Sequence, residues 1–284
     1  MYELPYASII NPIGRVDDQG DHLMPSWVSR RVGAAMVAAL LTAGLAVLPV
    51  QAIQFSSSGT GVSGAAISAS ADFTINGNAL TIILTNTALA DNTTGGDPQD
   101  VPGNTLTGVF FDLTGNPSLT AGSATIAAGS MVQGVQCSIG PCDGTTTDVG
   151  GEFRYDAGAF PGGADRGVAG AGYIGGAANF PGALNLDGEA AVNGINFGII
   201  SADPSFLPNG GLASVPLIKN SVTFVLTGVS GLTENDISKV SFQYGTSITE
   251  PRLPPSKTPE PGTLLLLGGG LAAATLIRKH TRRN

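Results

Sequence analysis

Residues 53–250 predict an all-β fold, an antiparallel β-sandwich or jelly roll, on three observations. Short runs rich in Val, Ile, Phe and Thr alternate apolar with polar residues. Gly, Asn and Pro break these runs at short intervals. Outside two terminal segments, no long stretch carries helical periodicity. The alternation is diagnostic because successive side chains of a strand point to opposite faces, so a period of two buries one face of a sheet.

Taken in order, Ser56 to Ser70 is a Ser/Gly/Ala-rich lead-in. Asp72-Phe73-Thr74-Ile75 alternates, Asn76-Gly77-Asn78 turns, and Leu80 to Leu84 runs back, which is a hairpin with its turn chemistry visible. Phe73 and Ile75 are expected to share a buried face with Leu80, Ile82 and Leu84. Asp91 to Asn104 reads as a polar loop. Val109 to Leu113 reads as a strand ended by Thr114-Gly115-Asn116-Pro117, and Ala124 to Cys137 as one or two strands around Gly129 and Gly134. From Gly150 to Gly194 the chain holds 13 glycines in 45 residues and repeats Phe-Pro-Gly at Phe160 and Phe180. This is a Gly-rich loop excursion, expected to be pinned by Phe153, Tyr155, Phe160, Tyr173 and Phe180. Strands resume at Ile195–Ile200, Ser221–Leu226 and Val240–Tyr244. In the last of these, Val240, Phe242 and Tyr244 share one face. Pro251, Pro254 and Pro255 then make residues 251–258 a stiff, extended stalk.

The two terminal segments are of another kind. Met24 to Arg31 is a short basic leader, Val32 to Leu48 an apolar core, and Val50-Gln51-Ala52 puts small residues at the −3 and −1 positions. That pattern is a secretory signal peptide, residues 24–52, expected to form a helix and to be cleaved between Ala52 and Ile53. Residues 1–23 fit no part of a signal, so translation is expected to begin at Met24, with the preceding residues a start-site extension. At the other end, Pro259-Glu260-Pro261 precedes an apolar run, 262–277, and the basic residues Arg278, Lys279, Arg282 and Arg283. The run reads as a transmembrane helix. Its 16 residues cover about 24 Å against a hydrocarbon core of about 30 Å, and terminal Lys and Arg can snorkel to close part of the gap. The two prolines lack amide donors and bias Glu260 to an extended conformation. By the positive-inside rule the basic end stays cytoplasmic and residues 53–257 face outward.

Tripeptide, apolar span and basic cluster in that order, carried by Pro259, Glu260, Pro261, Gly262, Thr263, Leu264–Leu267 and the two Arg/Lys pairs, resemble the PEP-CTERM sorting signal of exosortase substrates in Gram-negative bacteria. The resemblance implies recognition by a membrane-embedded, cysteine-dependent exosortase, cleavage near the triplet (residues 259–284 being the sorting signal), and passage from an inner-membrane-anchored intermediate to the cell surface or extracellular matrix. The stretch Val240 to Pro251 is also similar to the closing strand of some exosortase-dependent surface proteins.

Composition narrows the activities open to the exported part. Residues 53–258 carry 16 acidic and 6 basic side chains, a net charge of −10, which disfavours nucleic acid and anionic lipid as partners. The chain's two histidines, His22 and His280, both lie outside this segment. Ser-His-Asp and Cys-His catalysis and His-ligated zinc or haem therefore have no ligands within it. Gly170-Ala171-Gly172-Tyr173-Ile174-Gly175 matches G-x-G-x-x-G in letters, but neither a clear strand precedes it nor a helix follows. Cys137 and Cys142 flank Gly140-Pro141, and in an oxidising compartment they are expected to form a disulfide that pinches the loop.

These features point to a non-catalytic exported surface or matrix protein, not an enzyme, with no cofactor and in association with extracellular polysaccharide. The alternative is a glycan- or calcium-binding adhesion module. Tyr155, Tyr173 and Phe160 are the aromatic residues available for a sugar platform. Asp91, Asp97 and Asp100, with Asn92, are candidate Ca²⁺ ligands in one loop, and Asp143, Asp148 and Glu152 in another. A hydrolase using paired carboxylates needs no histidine, but no pair of acids stands out.

Overall fold

The structure, a computed structural model, describes residues 52–61, 64, 66–89, 102–133, 147–181, 198–202, 217–250, 252–254 and 256–258. The chain divides into two units, residues 1–49 and 50–284, and every described residue belongs to the second. No helix among the described residues is long and apolar enough to cross a membrane. The signal-peptide core and residues 262–277 lie outside the described residues.

The described residues form fourteen strands and four short 3₁₀ turns. The strands are β1 (Ile53–Thr60), β2 (Ala66–Asn76), β3 (Ala79–Asn86), β4 (Leu106–Leu113), β5 (Thr120–Ile126), β6 (Met131–Gln133), β7 (Phe153–Ala157), β8 (Arg166–Gly170), β9 (Ile199–Ile200), β10 (Leu217–Lys219), β11 (Ser221–Thr227), β12 (Ile237–Tyr244), β13 (Arg252–Leu253) and β14 (Ser256–Thr258). One sheet runs β14-β1-β2-β3-β11-β5, antiparallel throughout. The other runs β13-β12-β4-β9-β10-β6, with β8 also pairing to β4 and β7 to β8.

The expected hairpin is β2–β3. Gly77 turns it with φ of 60°, a left-handed conformation that costs glycine nothing. Register follows the apolar pattern: Phe73 faces Ile82 and Ile75 faces Leu80 on the buried side. One departure from an antiparallel fold is β9–β10, which pair parallel. The intervening residues 201–216 supply the long connection that a parallel pair requires.

Both sheets turn their apolar faces to one core. The Phe73 ring bridges the layers, 5.6 Å from Phe55 and 5.5 Å from Phe111, edge-on to both. Phe224 does the same further along, 4.9 Å from Phe153 and 5.7 Å from Phe180. In β12, Val240, Phe242 and Tyr244 point into this core, as their alternation predicts. The Gly-rich excursion is ordered over 150–181. Its hairpin β7–β8 extends the second sheet, and Phe153, Tyr155 and Phe180 enter the core. Glycine is needed there at Gly167, where a Cβ would lie 2.3 Å from the Phe110 ring. Phe110 in turn stacks on Phe160 at 4.9 Å on the outer side of the sheet.

Thr233 and Asp236 close a reciprocal capping box on the 3₁₀ turn before β12. Hydrogen bonds from the Thr233 backbone N–H and then its hydroxyl hold the Asp236 carboxyl below its ordinary range. The cap is therefore complete above an ordinary aspartate's pKa of about 3.9 and fades as pH falls through the depressed folded value. A carboxyl-carbon NMR titration should place Asp236 below the exposed aspartates, and Thr233→Ala, which removes the hydroxyl but keeps the larger backbone N–H bond, should raise it only part of the way.

Candidate functional site

Of residues 251–258, read from sequence as a stalk, Arg252–Leu253 and Ser256–Thr258 are instead strands, one in each sheet. Arg252 and Leu253 pair with Gln243 and Phe242 on β12. Ser57 Oγ donates to Pro254 O at 2.7 Å. Ser256, Lys257 and Thr258 then pair with Ser56, Phe55 and Gln54 on β1. The segment is a strap that crosses from the edge of one sheet to the edge of the other. Leu253 anchors it in the core at 8% exposure. Gly59 makes room: a Cβ there would sit 2.5 Å from Leu253 Cδ2. Proline-rich sequence is compatible with this because both strands are short and marginal to their sheets, where a missing N–H breaks no central ladder.

The loop feeding the strap is built by Gln243. Its buried amide donates to the carbonyls of Tyr244, Ser247 and Glu250 at 2.9, 3.3 and 3.1 Å. Glu250 completes the loop by accepting from the backbone N–H groups of Thr246 and Ser247. Gly245 takes φ of 84° at the corner. Replacing Gln243 with alanine removes all of these side-chain bonds at once, one buried and two part-buried, which the two N–H of a single amide share. We expect a loss of about 2–3 kcal/mol in urea unfolding, with protection from amide exchange falling first in β13 and β14.

At the start of the strap's partner strand β1, beside the paired residues, lies the predicted signal cleavage point. Ala52 is exposed, and Ile53 is the first residue of β1, buried to 4%. Among the described residues, the first strand thus begins at Ile53. Because β1 and β14 are antiparallel with Gln54 opposite Thr258, the first residue of β1 and the last of β14 lie at the same corner of the sheet. The triplet itself lies outside the described residues.

Among the described residues, none of the other predicted sites is assembled. Cys137 and Cys142 lie outside the described residues, as do Asp91, Asp97 and Asp100. Of the second acidic loop, Asp148 accepts from Gly150 N at 3.0 Å, and Glu152 is fully buried. Among the described residues no group of three or more His, Cys, Asp or Glu side chains is placed to hold a metal ion. The aromatic platform is split: Tyr155 faces the core, Phe160 stacks on the opposite side of the sheet, and Tyr173 is half-buried. Burial pushes the Tyr155 hydroxyl's pKa up, partly offset by the nearby Arg166 guanidinium. Gly170 to Gly175 is a turn after β8, closed by Gly172 N to Gly176 O, with no helix to receive a phosphate.

Two ion-paired acids that sequence reading passed over sit at the end of the sandwich. Arg166 is fully buried on β8, with Nε 2.8 Å from Asp165 Oδ1, and it also donates to Asn116 Oδ1 and Pro117 O. Asp112 pairs with Lys239 at 2.6 Å and accepts from Asp165 N. An open groove beside them is lined by Asn116, Phe160 and Asp165. Its acids are engaged with cations or backbone, an arrangement that ties β4, β8 and β12 together.

No curated protein and no solved structure matches the chain. A family model does match at one end: residues 257–283 fit the PEP-CTERM protein-sorting motif. The match starts at Lys257, in the middle of β14. These residues are a PEP-CTERM protein-sorting motif, and the motif implies exosortase-dependent sorting of an exported protein.

Proposed function

We propose that this chain is a non-catalytic surface or extracellular-matrix protein of a Gram-negative bacterium, exported through its N-terminal signal, processed by an exosortase and associated with exopolysaccharide. The observation that carries the reading is the sorting motif at residues 257–283 directly following an all-β domain. Two features support it. The domain's first buried residue is Ile53, next to the expected signal cleavage point. The acids around the open groove are engaged in structural pairs. In this reading the sandwich is the delivered cargo, and the two terminal segments are its address. Before processing, the partners are the inner membrane and the exosortase; afterwards, extracellular polysaccharide.

Intact mass of the protein recovered from envelope and medium, in hosts with and without exosortase, tests the reading. The expected product begins at Ile53 and ends near Pro259 only where the enzyme is present. Pro259→Ala together with Glu260→Ala should leave the tail attached. A mass that retains Arg278 to Asn284 in both hosts would sink the sorting role.

A further inference from the structure

Resting on that reading, we propose that β14 is a latch: processing acts on chains in which β14 has left β1, so pairing of the first and last strands sets when the sorting segment is removed. Three observations carry this. The motif begins at Lys257, inside the strand, and Thr258 is paired with Gln54. At about 3.3–3.6 Å per residue, the whole triplet therefore lies within about 11 Å of a hydrogen-bonded sheet edge. Peptide bonds are cleaved in locally opened chain, where an enzyme can hold extended residues on both sides of the bond. Here the residues on the upstream side are committed to β1.

The latch is also built to open. β14 pairs over three residues only, at the edge of its sheet. Pro254 and Pro255 precede it and Pro259 follows it in the sequence, residues that lack the N–H a continuing ladder would use. Short edge strands are the first parts of a sheet to fray. Behind it, Leu253 in the core and the bond from Ser57 to Pro254 hold the rest of the strap. β14 can therefore release while β13 stays docked, which exposes the upstream side of the triplet and leaves the sandwich closed.

The test is pulse-chase processing of the full chain in a host carrying its exosortase, read by mass. One variant inserts Gly-Ser-Gly-Ser-Gly-Ser between Thr258 and Pro259. A second, Ser56→Cys with Ser256→Cys, locks the strand through two directly opposed positions, whose separation in an antiparallel pair suits a disulfide. We expect the spacer to speed processing at least about threefold and the oxidised lock to slow it at least about tenfold. Reductant should restore the locked chain, and each chain with only one of the two substitutions should match the parent. Parent-like processing of the spacer chain, or of the oxidised lock, overturns the latch. Should the double variant fail to fold, the spacer chain decides alone. If no chain is processed, spacer included, the sorting reading itself fails, and the latch falls with it.

Discussion

Phe73→Ala is expected to cost about 3–5 kcal/mol, a large share of the about 5–15 kcal/mol that keeps a typical domain folded. Phe73 is fully buried and is the ring through which the two sheets meet, in contact with Phe55 on its neighbour strand and Phe111 across the core. Removing it deletes a large transfer contribution and two edge-on aromatic contacts, and leaves a cavity that strands on both sides are too stiff to fill. In urea unfolding the midpoint should fall sharply with little change in slope. In a thermal scan the drop should be on the order of 10 °C. Phe160→Ala is the comparison. Its ring is half-buried on the outside of the second sheet, over Phe110, and its removal should cost about 1–2 kcal/mol. Equal effects would mean that the layers do not meet through Phe73.

The second large effect has an asymmetry that contact counting would miss. Asp165→Ala should destabilise by about 3 kcal/mol, and Arg166→Met by clearly less. Arg166 has no exposed surface, whereas the Asp165 carboxylate is 37% exposed. Removing the acid strands a guanidinium in the interior with only the neutral oxygens of Asn116 and Pro117. Removing the base leaves a carboxylate that water still reaches, and methionine fills much of the vacated volume. The partial exposure of Asp165 is why the figure is set at the low end for a broken buried pair. Chemical denaturation of both variants at neutral pH and moderate salt reads the difference. The reverse order of effects would show that the guanidinium finds another partner.

How much of this was legible beforehand depended on side-chain size. The β2–β3 hairpin and β12 could be read at once, because large residues such as Phe73, Ile82 and Phe242 alternate with polar ones and every second side chain is buried. β1 and the first half of β2 were passed over as a Ser/Gly/Ala lead-in. Apart from Ile53, Phe55 and Ile67, their buried positions are filled by Ala69, Ser70 and Ala71, and Gly59 packs close against Leu253, residues that carry little hydrophobic signal. The strap was misread for the opposite reason. Three prolines in eight residues, 251–258, say extended chain, and extended chain can be a free stalk or an edge strand. Only Leu253 hints at the choice, since an apolar side chain gains by burial in a way a solvated stalk does not offer. At the processing corner, the sequence named Ile53 and the triplet separately. It could not show that Ile53 and Thr258, the residue before the triplet, lie at one corner of the sheet, because 205 positions separate them and only the register of β1 with β14 brings them together.

That neighbourhood means chain order is not what holds the first sheet together. Joining Thr258 to Ile53 through a short glycine linker would turn β14 and β1 into an ordinary hairpin. New ends could then be opened at the exposed Gly64, between β1 and β2. Such a circular permutant keeps every strand pair of the sandwich. It would begin at β2 and end at β1, so the same sheets would be assembled with the seam moved to a different loop.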